Sequence, residues 1–172
     1  MKYLLAGFLL GIIVLPIIGF VYFRFGFAPV ATAARPMPFE KSLAHMALHA
    51  QIDKEAPKTV PISASDANYQ AGANVYRKHC AVCHGLPGQS EGAIAKGMFP
   101  APPHLFKGHG VTDDPAGETY WKVSNGIRLT GMPAYTGSLS ETEMWQVSLL
   151  LANADKLPDQ VRTALQQPLE IH

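Results

Sequence analysis

The stretch Cys80-Ala81-Val82-Cys83-His84 holds both cysteines of this 172-residue chain, separated by two residues and followed directly by a histidine. This arrangement attaches c-type haem: each thiol adds to a vinyl group at neighbouring corners of one macrocycle, and the adjacent imidazole ligates the iron. Three other chemistries use similar residues. Thioredoxin-like exchange also uses C-x-x-C, but the strands that would carry it are missing from the pattern. A zinc site would add His104 and His109, yet twenty residues separate Cys83 from His104, more than a finger spacing, and His84 would be left unexplained. A pair of buried structural cysteines is the third alternative. Covalent haem explains all three residues at once, and it is the reading adopted for the chain.

Haem iron has two axial positions, so a second ligand is needed beyond His84. The downstream candidates are Met98, His104, His109, Met132 and Met144. Met144 falls in a helical pattern beside Trp145, where it reads as packing. Met98 lies in a loop close after His84, so the chain would have to wrap half the ring early. His104 or His109 would give bis-histidine ligation and a lower reduction potential. Met132, in IRLTGMPAY, comes after an intervening helix that can carry the chain around the ring. Gly131 is expected to let the backbone turn and Pro133 to stiffen the exit, which would hold the sulfur in place. The expected site is therefore Cys80, Cys83, His84 and Met132, with iron bound by His84 and Met132 and no catalytic residue.

These residues need helices to carry them, and a small domain with 14 prolines and 15 glycines needs a cofactor to staple it. SASDANYQAGANVYRKH reads as a capped helix with Gly72 and Tyr76 on one face, leading straight into the cysteines. GETYWKVSNG is a short helix ending at Gly126. SETEMWQVSLLLANADKLP opens on a capping box of Ser140 and Glu143, lines one face with Trp145, Leu149 and Ala152, and stops before Pro158. Alternating strands and internal repeats are absent. The fold class is all-α: three to four helices around a covalently attached haem, from residue 65 to 155, with a weakly helical tail over 156–172.

Upstream, the chain is uncharged from Tyr3 to Phe23, about 30 Å as a helix and enough to cross a bilayer. Residues 1–27 are read as a transmembrane anchor or uncleaved signal. Ala31-Thr32-Ala33 resembles a cleavage site, and Arg24 is a weak vote against the orientation that Lys2 favours. Residues 28–64 form a Pro-rich linker containing a short amphipathic helix, with Leu43, Met46, Ala47 and Ala50 at helical spacing. His45 and His49 share a face of that helix but lack a third ligand. With 14 basic against 13 acidic residues and no basic run, nothing suggests a nucleic-acid surface.

The stretch from Ser65 to Asn153 resembles a class I monohaem cytochrome c domain of the membrane-anchored bacterial type. A GxxxY helix precedes CAVCHG, P-x-L follows at Pro103-His104-Leu105, GMPAY supplies a methionine, and an aromatic-bearing terminal helix closes the order. The resemblance implies that Gly72 and Tyr76 cross the C-terminal helix near Trp145, that the Pro103 carbonyl accepts a hydrogen bond from His84, and that Arg128 approaches a haem propionate. It also implies one haem c and an electron carrier between a membrane complex or dehydrogenase and an acceptor such as a terminal oxidase. The haem domain is expected on the periplasmic side of a bacterial inner membrane, docking redox partners. A fixed subunit of a larger respiratory complex is the alternative, and a haem enzyme or gas sensor a third reading.

Overall fold

A computed structural model describes residues 1–107 and 114–167, all helix, turn and loop, with no strand among them. His109 lies outside the described residues. The chain divides into two compact units, 1–43 and 44–172. The first contains α1 (Lys2–Arg24), which buries none of its residues and is long and apolar enough to cross a membrane.

Helix α2 (Glu40–Glu55) enters the second unit at Ala44. The face expected from Leu43 and Met46 is not the packed one: both are exposed, at 60% and 67%. The stripe that meets the domain is Leu48, Ile52 and Ala56, spaced at i, i+4 and i+8, with Ile52 1% exposed. Two apolar stripes occupy different sides of this helix, and the more conspicuous one in sequence remains in solvent. Trp121 Nε1 donates to Glu55 Oε2 at 3.1 Å, and a Cβ at Gly117 would fall 1.9 Å from the Pro57 carbonyl oxygen. The C-terminal half of the linker region is thus packed structure.

Helix α3 (Asp66–Val75) starts at Ser65, whose hydroxyl accepts from the Asn68 amide at 3.3 Å. A π-helical turn, Tyr76–Cys80, continues it into the short α4 (Ala81–His84). After α5 (Ala93–Gly97) and α6 (Ala116–Asn125), α7 (Glu141–Ala152) opens on the expected capping box of Ser140 and Glu143. The Ser140 hydroxyl and amide hold the Glu143 carboxyl below the usual carboxylate range.

Burial on α7 extends around the helix, from Met144 to Leu151, rather than along one face. Against it, α3 approaches so closely that a Cβ at Gly72 would lie 2.3 Å from the Gln146 carbonyl oxygen. The crossing falls beside Trp145, as the resemblance implied, and Gln146 Nε2 donates across it to Asn68 Oδ1 at 3.0 Å. Trp145 stacks on Tyr120 of α6, with ring centroids 4.1 Å apart.

The tail departs from its expectation. Helix α8 (Asp159–Gln166) buries Val161 and Leu165, and with Leu157 they join the same core as Tyr76 and Leu150. Arg77 reaches from the π-helical turn to the Ala164 carbonyl, anchoring the helix end. The core therefore does not stop at Asp155. The tail looked weak because its apolar residues are few, but they fall on one stripe that has a surface to meet.

Leu165→Ala is expected to cost about 2–4 kcal/mol in chemical denaturation, the usual range for emptying a buried leucine site. Leu43→Ala, at the exposed stripe of α2, should stay within about 0.5 kcal/mol of the parent. Equal effects at the two positions would contradict this packing.

Candidate functional site

The residues singled out by their chemistry converge on one cleft. Its walls come from three segments: His79, Cys80, Cys83 and His84 from the end of the first domain helix, Met98 and Pro100 to Pro103 from the loop after α5, and Ile127 with Thr130 to Pro133 and Tyr135 from the loop after α6. Val123 of α6 completes it, and the cleft holds about 690 Å³ of empty space including its mouth. Among the described residues no Asp, Glu, Lys or Arg lines the wall.

The first wall is built by α3 and its π-helical turn, a distortion that recurs at functional sites because it shifts the register of the side chains beyond it. Tyr76, fully buried, donates its hydroxyl hydrogen to the Gly85 carbonyl at 2.6 Å, bracketing the cysteine segment from behind. Burial raises the pKa of that phenol, so it stays a donor. Gly85 has φ +74°, and a Cβ there would meet the His104 ring at 2.8 Å. Glycine is required on both counts for the chain to leave α4 directly after His84.

His84 Nδ1 lies 2.8 Å from the Pro103 carbonyl oxygen. A carbonyl can only accept, so Nδ1 carries the proton and the lone pair belongs to Nε2, the nitrogen left for a metal. Burial lowers the His84 pKa, with the Pro103 hydrogen bond opposing it in part, so the neutral imidazole that ligates metal is the favoured form. Cys80 and Cys83 are both free thiols. Burial, with the Cys83 charge adding to it, pushes the Cys80 thiol up to about 12.

Among the candidates for the second axial position, the structure separates those at the cleft from those away from it. Met98 and Met132 both line it. His104 does not: its Nδ1 accepts from the Phe106 amide and its Nε2 donates to the Gln89 carbonyl, each at 3.3 Å. Met144 is buried in α7 among the core residues. No group of three or more potential metal-binding His, Cys, Asp or Glu side chains forms among the described residues. Arg128 is exposed and takes no part in the wall.

The Met132 loop is stitched internally. Thr130 Oγ1 donates to the Ile127 carbonyl at 2.7 Å and accepts from the Met132 amide at 3.1 Å, while the Ile127 amide donates to the Met132 carbonyl at 3.2 Å. The Tyr135 amide donates to the Val123 carbonyl, and its hydroxyl to the His79 carbonyl at 2.9 Å. The loop is thereby tied to the residue preceding Cys80. The positive φ values in this region are at Gly126, +66°, and Leu129, +59°; Gly131 has none. The conformational freedom expected of Gly131 is needed at Gly126 instead, where a Cβ would strike the Ala134 amide at 2.6 Å.

The donor set fits haem c: two free thiols, an imidazole with its Nδ1 proton already committed, thioethers on the same cleft and an apolar wall. In protein without haem, burial that pushes the Cys80 thiol up to about 12 leaves little of it ionised at pH 8. Alkylation of Cys80 by iodoacetamide, followed by peptide mass mapping, should therefore be slow at pH 8 and accelerate with rising pH. Fast reaction at neutral pH would contradict the burial assigned to it.

Comparison with known proteins agrees with this geometry. Residues 67–149 match the family model described as cytochrome c oxidase, cbb3-type, subunit III. No curated protein matches the chain. The matched span runs from the first turn of α3 through most of α7 and encloses every residue of the cleft wall. Residues 67–149, a little under half of the chain, are accordingly similar to a class I cytochrome c domain, which supports a c-type cytochrome in electron transfer.

Proposed function

We propose that the chain holds one haem c, attached through Cys80 and Cys83 with His84 and Met132 as axial ligands, and carries single electrons while tethered to the outer face of a bacterial inner membrane. The observation that carries this reading is the meeting of His84 and Met132 on one apolar cleft. When bound, haem c supplies a one-electron iron couple. The protein's part is to hold it: the thiols keep the group in place when a partner leaves, the Pro103 carbonyl orients His84, and the stitched loop presents Met132. Filling both axial positions leaves no vacant site for oxygen, peroxide or substrate, which favours relay over catalysis. A thioether ligand also favours a higher potential than a second imidazole would, and the apolar wall limits the solvation of the iron's charge.

Met132→His should keep covalent haem, lose the far-red absorption band that a methionine sulfur gives ferric haem, and lower the reduction potential. A spectrum and potential equal to those of the parent would show that Met132 is not the ligand.

The apolar α1 supports membrane tethering, and its position ahead of the haem domain, with Lys2 at its start, supports periplasmic placement. The donor and acceptor proposed are a membrane complex or dehydrogenase and a terminal oxidase. The family description, which names an oxidase subunit, favours a second reading in which the protein is a fixed subunit of such a complex. Purification in mild detergent decides between them. A carrier should emerge alone, with an intact-mass value that includes residues 1–27, whereas a stoichiometric partner surviving size exclusion would support the subunit. A mature mass beginning after Ala33 would contradict tethering by α1.

A further inference from the structure

Gly131 precedes the proposed ligand, yet its backbone does not require glycine, since its φ is outside the left-handed region. The space beside it is nonetheless taken, by the flexible end of Met98. A Cβ at residue 131 would lie 1.8 Å from Met98 Cε and 3.4 Å from its sulfur. The end of the Met98 side chain occupies the place where any larger residue at 131 would put its first carbon.

Met98 immediately follows α5, is half-buried, and lines the same cleft as Met132. Its chain segment continues through Pro100 to Pro103, whose carbonyl orients His84. The contact with Gly131 therefore joins the segment that fixes one proposed ligand to the loop that carries the other. Among the described residues that loop has few ties from outside: Gly131, Pro133 and Ala134 are exposed, and beyond its internal bonds it is held by Tyr135 and by Thr136 Oγ1, which donates to the Ser124 carbonyl. Met132 and Tyr135 pack against the core, but the exposed remainder of such a loop opens at lower free-energy cost than core elements do. A flexible, unbranched thioether is well suited to fill an irregular gap against bare backbone.

We propose that Met98 is a positioning residue whose side chain, seated against the Gly131 backbone, clamps the ligand loop and sets how firmly the Met132 sulfur is retained. This rests on Met132 being the axial ligand. A ligand held on a loop stays bound only as far as the loop stays closed, so loosening the clamp should show as easier displacement by a competitor.

The test uses the full-length haem-loaded protein with added imidazole as competitor, following loss of the far-red ferric band, alongside haem content and reduction potential. Met98→Ala should retain haem and show the band, but lose it at an imidazole concentration about tenfold lower than the parent, a tenfold change in the displacement equilibrium. Met98→Leu fills the same space without a sulfur and should restore near-parental resistance. Gly131→Ala should also weaken retention, because its Cβ collides with Met98, and Met98→Ala in the same chain should recover part of that loss. Imidazole sensitivity of Met98→Ala equal to the parent would overturn the clamp, as would damage from Gly131→Ala that is the same with and without Met98. A band abolished in both Met98 variants but surviving in Met132→Ala would instead make Met98 the ligand, overturning the reading on which the proposal rests.

Discussion

The site depends on the close backbone approach of α3 and α7 at Gly72. With a Cβ there only 2.3 Å from the Gln146 carbonyl oxygen, any side chain would force the helices apart. Their approach sinks Tyr76, one turn later, completely into the core, from which its hydroxyl reaches the Gly85 carbonyl. The cysteine segment is thereby held between a buried phenol and the cleft. The π-helical turn that begins at Tyr76 leads into Cys80, Cys83 and His84, which line that cleft. Helix α8 then closes over the same core from the chain's far end.

Loops supply the other two walls, and each is fixed by hydrogen bonds rather than by regular structure. The Pro103 carbonyl settles the tautomer of His84, and the carbonyls of His79 and Val123 hold Tyr135 at the end of the methionine loop. Leu129 sits in that loop with φ +59° and 92% exposed, an uncommon conformation for a bulky residue and a sign of backbone strain near a functional site. Among the described residues the wall around the His84 imidazole carries no Asp, Glu, Lys or Arg, and electrostatic interactions are stronger beside such apolar atoms than in water. The fold spends its polar groups on orientation and leaves the cleft surface to apolar atoms.

Much of this was legible in the chain. C-x-x-C-H pointed to a cytochrome c domain, in agreement with the family match, through three uncommon residues in fixed register, and the Ser140 and Glu143 cap marked the start of α7 because capping is local. The Gly72 crossing and the Pro103 hydrogen bond came from family resemblance, since neither long-range contact has a local signal. Other features were hidden for physical reasons. The packed stripe of α2 is less conspicuous than its exposed one, and only the tertiary surface shows which is used. Helix α8 has too few apolar residues to stand out until a partner face exists. Gly131 was read as a turn residue, but its smallness answers to Met98, thirty-three positions earlier. A contact across such a distance leaves no trace in spacing.

The central claim is that the iron has histidine and methionine as its axial ligands. X-ray absorption at the iron edge of the purified ferric protein tests it most directly. The account predicts one sulfur neighbour in the first coordination sphere beside the porphyrin and imidazole nitrogens. A sphere of nitrogen alone, or one with an open or oxygen-filled sixth position, would contradict it.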